Sequence, residues 1–362
     1  MLLVFLTQVF FVYSQEDDYR NYYKTINRAE LKLVDSLYNN AIAIYDSAFS
    51  MVTKPFGKDY HNAALCASIV SNDDKAFVYL DKLMGKGLTM DYFNEDIYNP
   101  LRHSHKWSDF SKKYDSKHDE IMKTFDLKLR RELETMQQKD QAMDWLRMSN
   151  IAQNKDSFAI FVYKNMVRIN EIINTKGFPD ENKLGATLLP HGNPVWIPLL
   201  HYMQAQGIGL SDKRKELIDK GAPSYNIEKA GVDYKKYDAS AILKKASIEG
   251  KFPVHSFASM EEQKNNPVKY GCRIYLEING NRVNIKYSDA QTHKIDSIRN
   301  NIGLESLSDY RKKFNFFEHL PKSDIRRKFF FDFQGAYLMM SFDDKQQGEN
   351  YQNKTIEEYQ KL

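Results

Sequence analysis

The chain has 362 residues, 42% of them hydrophobic, which suffices for a sizeable core and excludes a wholly disordered polymer. Lys and Arg number 52 against 48 Asp and Glu, so a formal charge of +4 is spread too thinly to be a nucleic-acid footprint. Aromatic residues reach 13%, a level that suits rings stacked between helices as well as carbohydrate contacts.

The first stretch, "MLLVFLTQVFFVYSQEDDYR", carries an apolar run from Leu2 to Tyr13 and then turns sharply polar. The run is shorter than the ~20 residues a membrane-crossing helix needs. It fits the apolar core of an export signal over residues 1–14, although no Lys or Arg precedes it. Val12 and Ser14 are small enough for the cleavage positions, leaving Gln15 as the new N-terminus. The alternative is a buried N-terminal strand. No later apolar segment is long enough to span, so the expectation is an exported protein, periplasmic or secreted or at the cell surface. No transmembrane segment is expected after signal removal.

Residues 15–26 are polar and read as an arm. From Asn27, Leu33, Leu37, Ile44, Ala48 and Phe49 recur at helical steps. "KPFGKD" breaks this helix, and "YHNAALCASIVSNDDKAFVYLDKLMGKG" reads as two short helices with a turn at "SNDD". "AIAIYDSAF" and "KAFVYLDKL" align at an offset of 34, the tetratricopeptide period. Residues 27–118 therefore read as a tetratricopeptide-like helical module. Residues 119–320 read as a second, helical domain.

The charged stretch "SKHDEIMKTFDLKLRRELETMQQKDQAMDWLRMSN" reads as one helix whose apolar stripe includes Phe125, Leu129 and Leu133. Further helices follow at "FAIFVYKNMVRINEIINTKG", "PVWIPLLHYMQAQG", "DKRKELIDKG" and "YDASAILKKASIEG". Apolar and polar residues then alternate around Asn279–Gly280, predicting a β-hairpin within residues 270–288. Helices return at "THKIDSIRNNIGL" and "LSDYRKKFNFFEHL"; "FFFDFQGAYLMMSF" is ambiguous between strand and buried helix. Residues 343–362 are a polar tail. The fold class is mainly α: tetratricopeptide-like hairpins, then an α-helical domain with one small β-hairpin.

The middle of the chain resembles domain-of-unknown-function family 6624. "ELETMQQKDQAMDWLR" is similar to its opening helix, and "NMVRINEIINTKGFPDENKLG" to the element that follows. "VWIPLLHYM" resembles its Trp-to-His helix. "KYGCRIYLEING" and "DAQTHKIDSIRNNIGLESLSDY" resemble its hairpin and closing helix. The resemblance covers residues 127–312. Among the matched positions, Asp140, Gln141, Arg147, Trp196, His201, Tyr270 and Arg299 are the candidate binding residues. Where the family has Thr–Gln after Tyr–Gly, this chain has Cys272–Arg273. The resemblance carries no established chemistry with it, but it implies an exported bacterial protein with tetratricopeptide-like neighbours.

Two readings of function follow. A helical binding or scaffold protein would recognise a peptide, protein or glycan. A hydrolase-like enzyme would need Asp140, Gln141 and His201, with Arg299, to converge on one cleft, the carboxylate orienting the imidazole as a base. The bland alternative makes His201 a core histidine at a helix seam. His191 and His201 lack the spacing of a zinc pair, and "HSH" at His103–His105 has metal-like spacing only on a strand. No metal or cofactor is expected. No phosphate loop, dinucleotide glycine pattern or nucleophile elbow occurs in the sequence.

Overall fold

The computed structural model of the chain describes residues 2–149, 151–186, 193–209, 232–264, 269–278, 281–331 and 337–340. The described residues are mainly helical. In chain order the helices are α1 (Leu2–Val34), α2 (Tyr38–Met51), α3 (Gly57–Ile69), α4 (Asp73–Gly85), the single turns α5 (Met90–Phe93) and α6 (Asn99–Arg102), and α7 (Trp107–Lys123). They continue with α8 (Leu127–Ser149), α9 (Ile151–Lys176), the short α10 (Glu181–Leu184), α11 (Trp196–Gly209), α12 (Ala239–Ile248), α13 (Val254–Lys264), α14 (Asp289–Asn301) and α15 (Leu307–His319). None of these helices is long and apolar enough to cross a membrane.

The predicted hairpin is present. Strands β1 (Tyr275–Ile278) and β2 (Asn281–Asn284) pair antiparallel, with Ile278 opposite Asn281. The Asn279–Gly280 turn itself lies outside the described residues, as do the helix expected at "DKRKELIDKG" and the tail at 343–362. A third strand, β3 (Tyr337–Met340), adds to β1 in parallel, giving the order β2-β1-β3. Within the ambiguous "FFFDFQGAYLMMSF", Tyr337–Met340 is strand, and residues 332–336, 341 and 342 lie outside the described residues.

Packing divides the chain into two compact units. The first comprises Met1–Pro55, His61–Asn72 and Ser247–Leu362; the second comprises Phe56–Tyr60 and Asp73–Ala246. The sequence reading draws its boundary after residue 118 instead. The difference arises because α1 buries its face against α2 and against the distant α15, which local periodicity does not reveal.

In the first unit, the segment expected to be a polar arm is helical and partly core. Tyr19, Tyr22 and Tyr23 are buried, and the Tyr23 hydroxyl donates to the Ser247 carbonyl at 2.8 Å. Gly303, at φ 89°, lets α1 come close: a Cβ there would stand 3.0 Å from the Arg20 carbonyl oxygen. The single helix expected from Asn27 is interrupted by a turn at Asp35–Leu37, with Ser36 at φ 59°.

A buried charge cluster joins the two ends of this unit. The Lys313 ammonium meets Glu30 at 2.6 Å and Glu305 at 2.8 Å, and it donates to Asn27 Oδ1 at 3.2 Å. His255 Nε2 lies 2.8 Å from the other Glu305 oxygen. Arg299, fully buried, donates to the Glu305 and Tyr270 carbonyls at 2.6 and 2.8 Å and lies over the Tyr310 ring. Burial alone would push the Glu305 carboxyl up, but His255, Lys313 and Arg299 hold it well below the usual carboxylate range. Nearby, Glu262 accepts from the Tyr270 and Cys272 amides, yet burial pushes its carboxyl up to about 7. Cys66 and Cys272 are both buried free thiols.

The second unit holds α4 to α11 and nearly all of α12. The charged stretch read as one helix is two, α7 and α8. The chain breaks at Thr124–Asp126, where Asp126 Oδ1 accepts the Leu129 amide at 2.9 Å as an N-terminal cap. Asp126 also receives Lys176 at 2.7 Å, so the break is anchored to the end of α9. Helices α8, α9 and α11 pack against one another in pairs and form the frame of the candidate site.

Replacing Lys313 with Met should cost about 3–5 kcal/mol in urea unfolding, because two buried carboxylates lose their shared cation. A loss under 1 kcal/mol would mean the cluster is not a keystone. The pH dependence of the same unit has two opposing parts. Burial lowers His61 to about 4, below its unfolded value of ~6.5. Its contribution is therefore complete above pH ~6.5 and lost as pH falls toward 4. Glu262, raised to about 7, works oppositely: its penalty at neutral pH fades as pH falls toward its unfolded value. Glu262→Gln should therefore lose stability more steeply than wild type between pH 7 and ~4.5, by about 3 kcal/mol across the window.

Candidate functional site

On α8, Asp140, Asp144 and Arg147 follow one another at steps of four and three, so they share a face. On α9, Phe158, Val162 and Asn165 repeat the same steps, and all three are buried. Helix α11 is apolar on nearly every side and brings His201 to meet both.

Asp140 is the deepest member, with no exposed surface. Its Oδ1 accepts from the Asn165 amide at 2.9 Å. Its Oδ2 is hydrogen-bonded to His201 Nδ1. A carboxylate only accepts, so Nδ1 carries the proton of this bond, which in the neutral ring leaves the lone pair on Nε2. Nε2 points toward Asp144, whose Oδ2 lies 3.9 Å away. Arg147 holds the opposite side of Asp144, donating from Nε and Nη2 to Oδ1 at 2.8 and 2.6 Å. The Arg147 guanidinium lies over the Phe158 ring at 5.2 Å, and His201 meets the same ring edge-on at 5.4 Å. Asp144, Arg147, Phe158 and His201 thus form a closed circle above Asp140.

Exposure rises across this circle. The side chains are 0% exposed at Asp140, 11% at His201, 15% at Asp144 and 23% at Arg147. The buried end fixes the imidazole; the open end offers Nε2, a free lobe of Asp144 and a guanidinium. An imidazole oriented by a buried carboxylate can take or give a proton. Among the described residues, no Ser, Thr or Cys hydrogen-bonds to His201, so no nucleophile is paired with it.

The structure brings together three of the residues expected from the sequence: Asp140, Arg147 and His201. Gln141 faces solvent on the outer flank of α8. Trp196 is buried at the first turn of α11. Tyr270 and Arg299 belong to the first unit, where Arg299 binds the Tyr270 carbonyl as part of the buried cluster. Within the second unit, Asp140 and His201 meet and Gln141 does not join them. His191 lies outside the described residues, and His103 and His105 are exposed. Among the described residues no three His, Cys, Asp or Glu converge as metal ligands. The sequence reading missed Asp144, Asn165 and Phe158. The helical spacing from Asp140 could have found Asp144; nothing local marks Asn165 as the partner of Asp140.

No protein-family model, no curated protein and no solved structure matches this chain. The roles of these residues rest on their geometry.

Two-dimensional nitrogen NMR of the imidazole should find the His201 proton on Nδ1 in the wild-type protein. Asp140→Asn should admit the other tautomer and cost about 1–3 kcal/mol, since a buried hydrogen-bond pair is broken. A proton fixed on Nε2 in the wild type would contradict the orientation given to the ring.

Proposed function

We propose that the protein is an exported helical binding protein whose second unit recognises a peptide, protein or glycan at the His201–Asp144–Arg147 edge. The observation that carries this reading is the 3.9 Å separation of His201 Nε2 and Asp144 Oδ2 at the open end of an otherwise buried network. The separation is too long for a direct hydrogen bond and leaves both atoms able to receive a ligand's donor groups at about 2.8 Å. Asp144 already engages the Arg147 guanidinium, which favours hydroxyl, amide or amine donors over anions.

The hydrolase alternative uses the same imidazole as a base toward water. It is less well supported, because Gln141 points away from His201 and Arg299 serves the other unit's buried cluster.

Isothermal titration with chitotriose, maltotriose and trialanine tests the reading. At least one probe should bind with a millimolar or tighter Kd, and both His201→Ala and Arg147→Ala should weaken it at least tenfold. Binding by none of the three, or binding indifferent to both substitutions, would sink the proposal. Probe cleavage that disappears in His201→Ala would favour the hydrolase alternative.

A further inference from the structure

Helix α3 presents two adjacent polar side chains, His61 and Asn62, that are 1% and 0% exposed. Both are directed at the backbone of a segment more than 260 residues away, Lys328–Phe330. Asn62 uses both ends of its amide on one residue. Its Oδ1 accepts the Phe330 N–H at 2.8 Å, and its Nδ2 donates to the Phe330 carbonyl at 3.0 Å. His61 Nε2 donates to the Lys328 carbonyl at 2.8 Å. With its ring nitrogens buried and its charged form disfavoured, His61 suits a neutral acceptor such as a peptide carbonyl.

These three bonds read peptide groups and not side chains. Such contacts accept any extended residue that keeps its N–H. Side-chain selection comes from neighbouring rings. Phe330 meets the edge of His61 with centroids 4.6 Å apart, and Phe329 stacks on Tyr38 at 6.4 Å. Phe329 is extended, at φ −63° and ψ 135°, and buried, whereas Lys328 is exposed and its side chain is not selected.

We propose that this face of α3 is a peptide-binding clamp, filled in cis by Lys328–Phe330, that takes an extended Phe–Phe-like segment of a partner protein in the same pose. The proposal concerns the first unit and does not rest on the His201 site. The occupant's chemistry follows from the segment seated there: two successive aromatic residues, the second with a free N–H. Residues whose side chains merely pack on a helix do not require a two-ended amide contact to the N–H and C=O of one residue. A partner competes with the cis segment, so affinity is masked until that segment is weakened.

The test uses a fluorescent peptide of the sequence Arg326–Phe331 and the full-length chain. Phe330→Ala weakens the cis occupant while leaving the Asn62 and His61 side chains in place. It should bind the peptide at least tenfold more tightly than wild type in fluorescence anisotropy. A peptide methylated on the amide nitrogen of its second Phe lacks the donor for Asn62 and should bind at least tenfold more weakly than the unmodified one. This comparison leaves the protein unchanged, so it is immune to misfolding of a clamp variant. Adding Asn62→Ala to Phe330→Ala should abolish the gain. No binding to Phe330→Ala at millimolar peptide, or equal binding of the methylated peptide, would overturn the proposal.

Discussion

The Lys313 ammonium is the constraint on which the first unit depends. It sits almost without solvent between Glu30 near the start of the chain and Glu305 near its end. A buried ion pair is seldom a strong net source of stability, because desolvation offsets much of the attraction. Its value lies in selectivity: three charged groups can be satisfied together in one register of α1 against α15 and in few others. Asn27, His255 and Arg299 complete the set from three further positions. The apolar part of the same interface is supplied by tyrosines, whose hydroxyls find carbonyls at the rim, as Tyr23 does at Ser247.

The second unit solves a similar problem in a different way. Asp140 is as deeply buried as any charge in the first unit, but an amide and an imidazole hold it in place of an ammonium. Asn165 on one oxygen and His201 on the other satisfy the carboxylate along its accessible directions. The remaining polarity is passed outward through Asp144 to Arg147. A network with a closed bottom and an open top is suited to holding side chains still where a ligand meets them. The same arrangement explains why α11 carries a histidine amid apolar residues.

Much of the secondary structure was legible, and for physical reasons. Gly87, at φ 84°, follows the end of α4, Asp73 opens it, and the alternation around 279–280 marks the paired strands. The misreadings cluster where local pattern and tertiary role diverge. "EDDYRNYYKTI" looks like an exposed polar arm because its charges outnumber its apolar residues; its tyrosines are core because a distant helix covers them. The charges of 116–150 hide a helix break, since Asp126 as a cap is indistinguishable in sequence from Asp126 on a solvated face. Asp140 and His201 were named through a family-like order of short motifs, and they do meet. Phe158 and Lys313 carry no such mark, and the motif that opens at Asn165 does not single that residue out, since a long-range partner leaves no periodic trace.

The first unit is discontinuous, and Glu30 and Lys313 are 283 positions apart. A ribosome releases the chain from one end. The second unit's segments have all emerged once residue 246 is clear, whereas the first unit must wait for α15 and the strand that follows it. Until then the tyrosine face of α1 has no distant partner, and the closing contact carries the loop entropy of nearly the whole chain. The order of assembly is thus written into the topology: the middle of the protein matures first, and its beginning is completed by its end. The interval between those events is when the nascent chain is most exposed to misassociation, and when a chaperone has the longest access to α1.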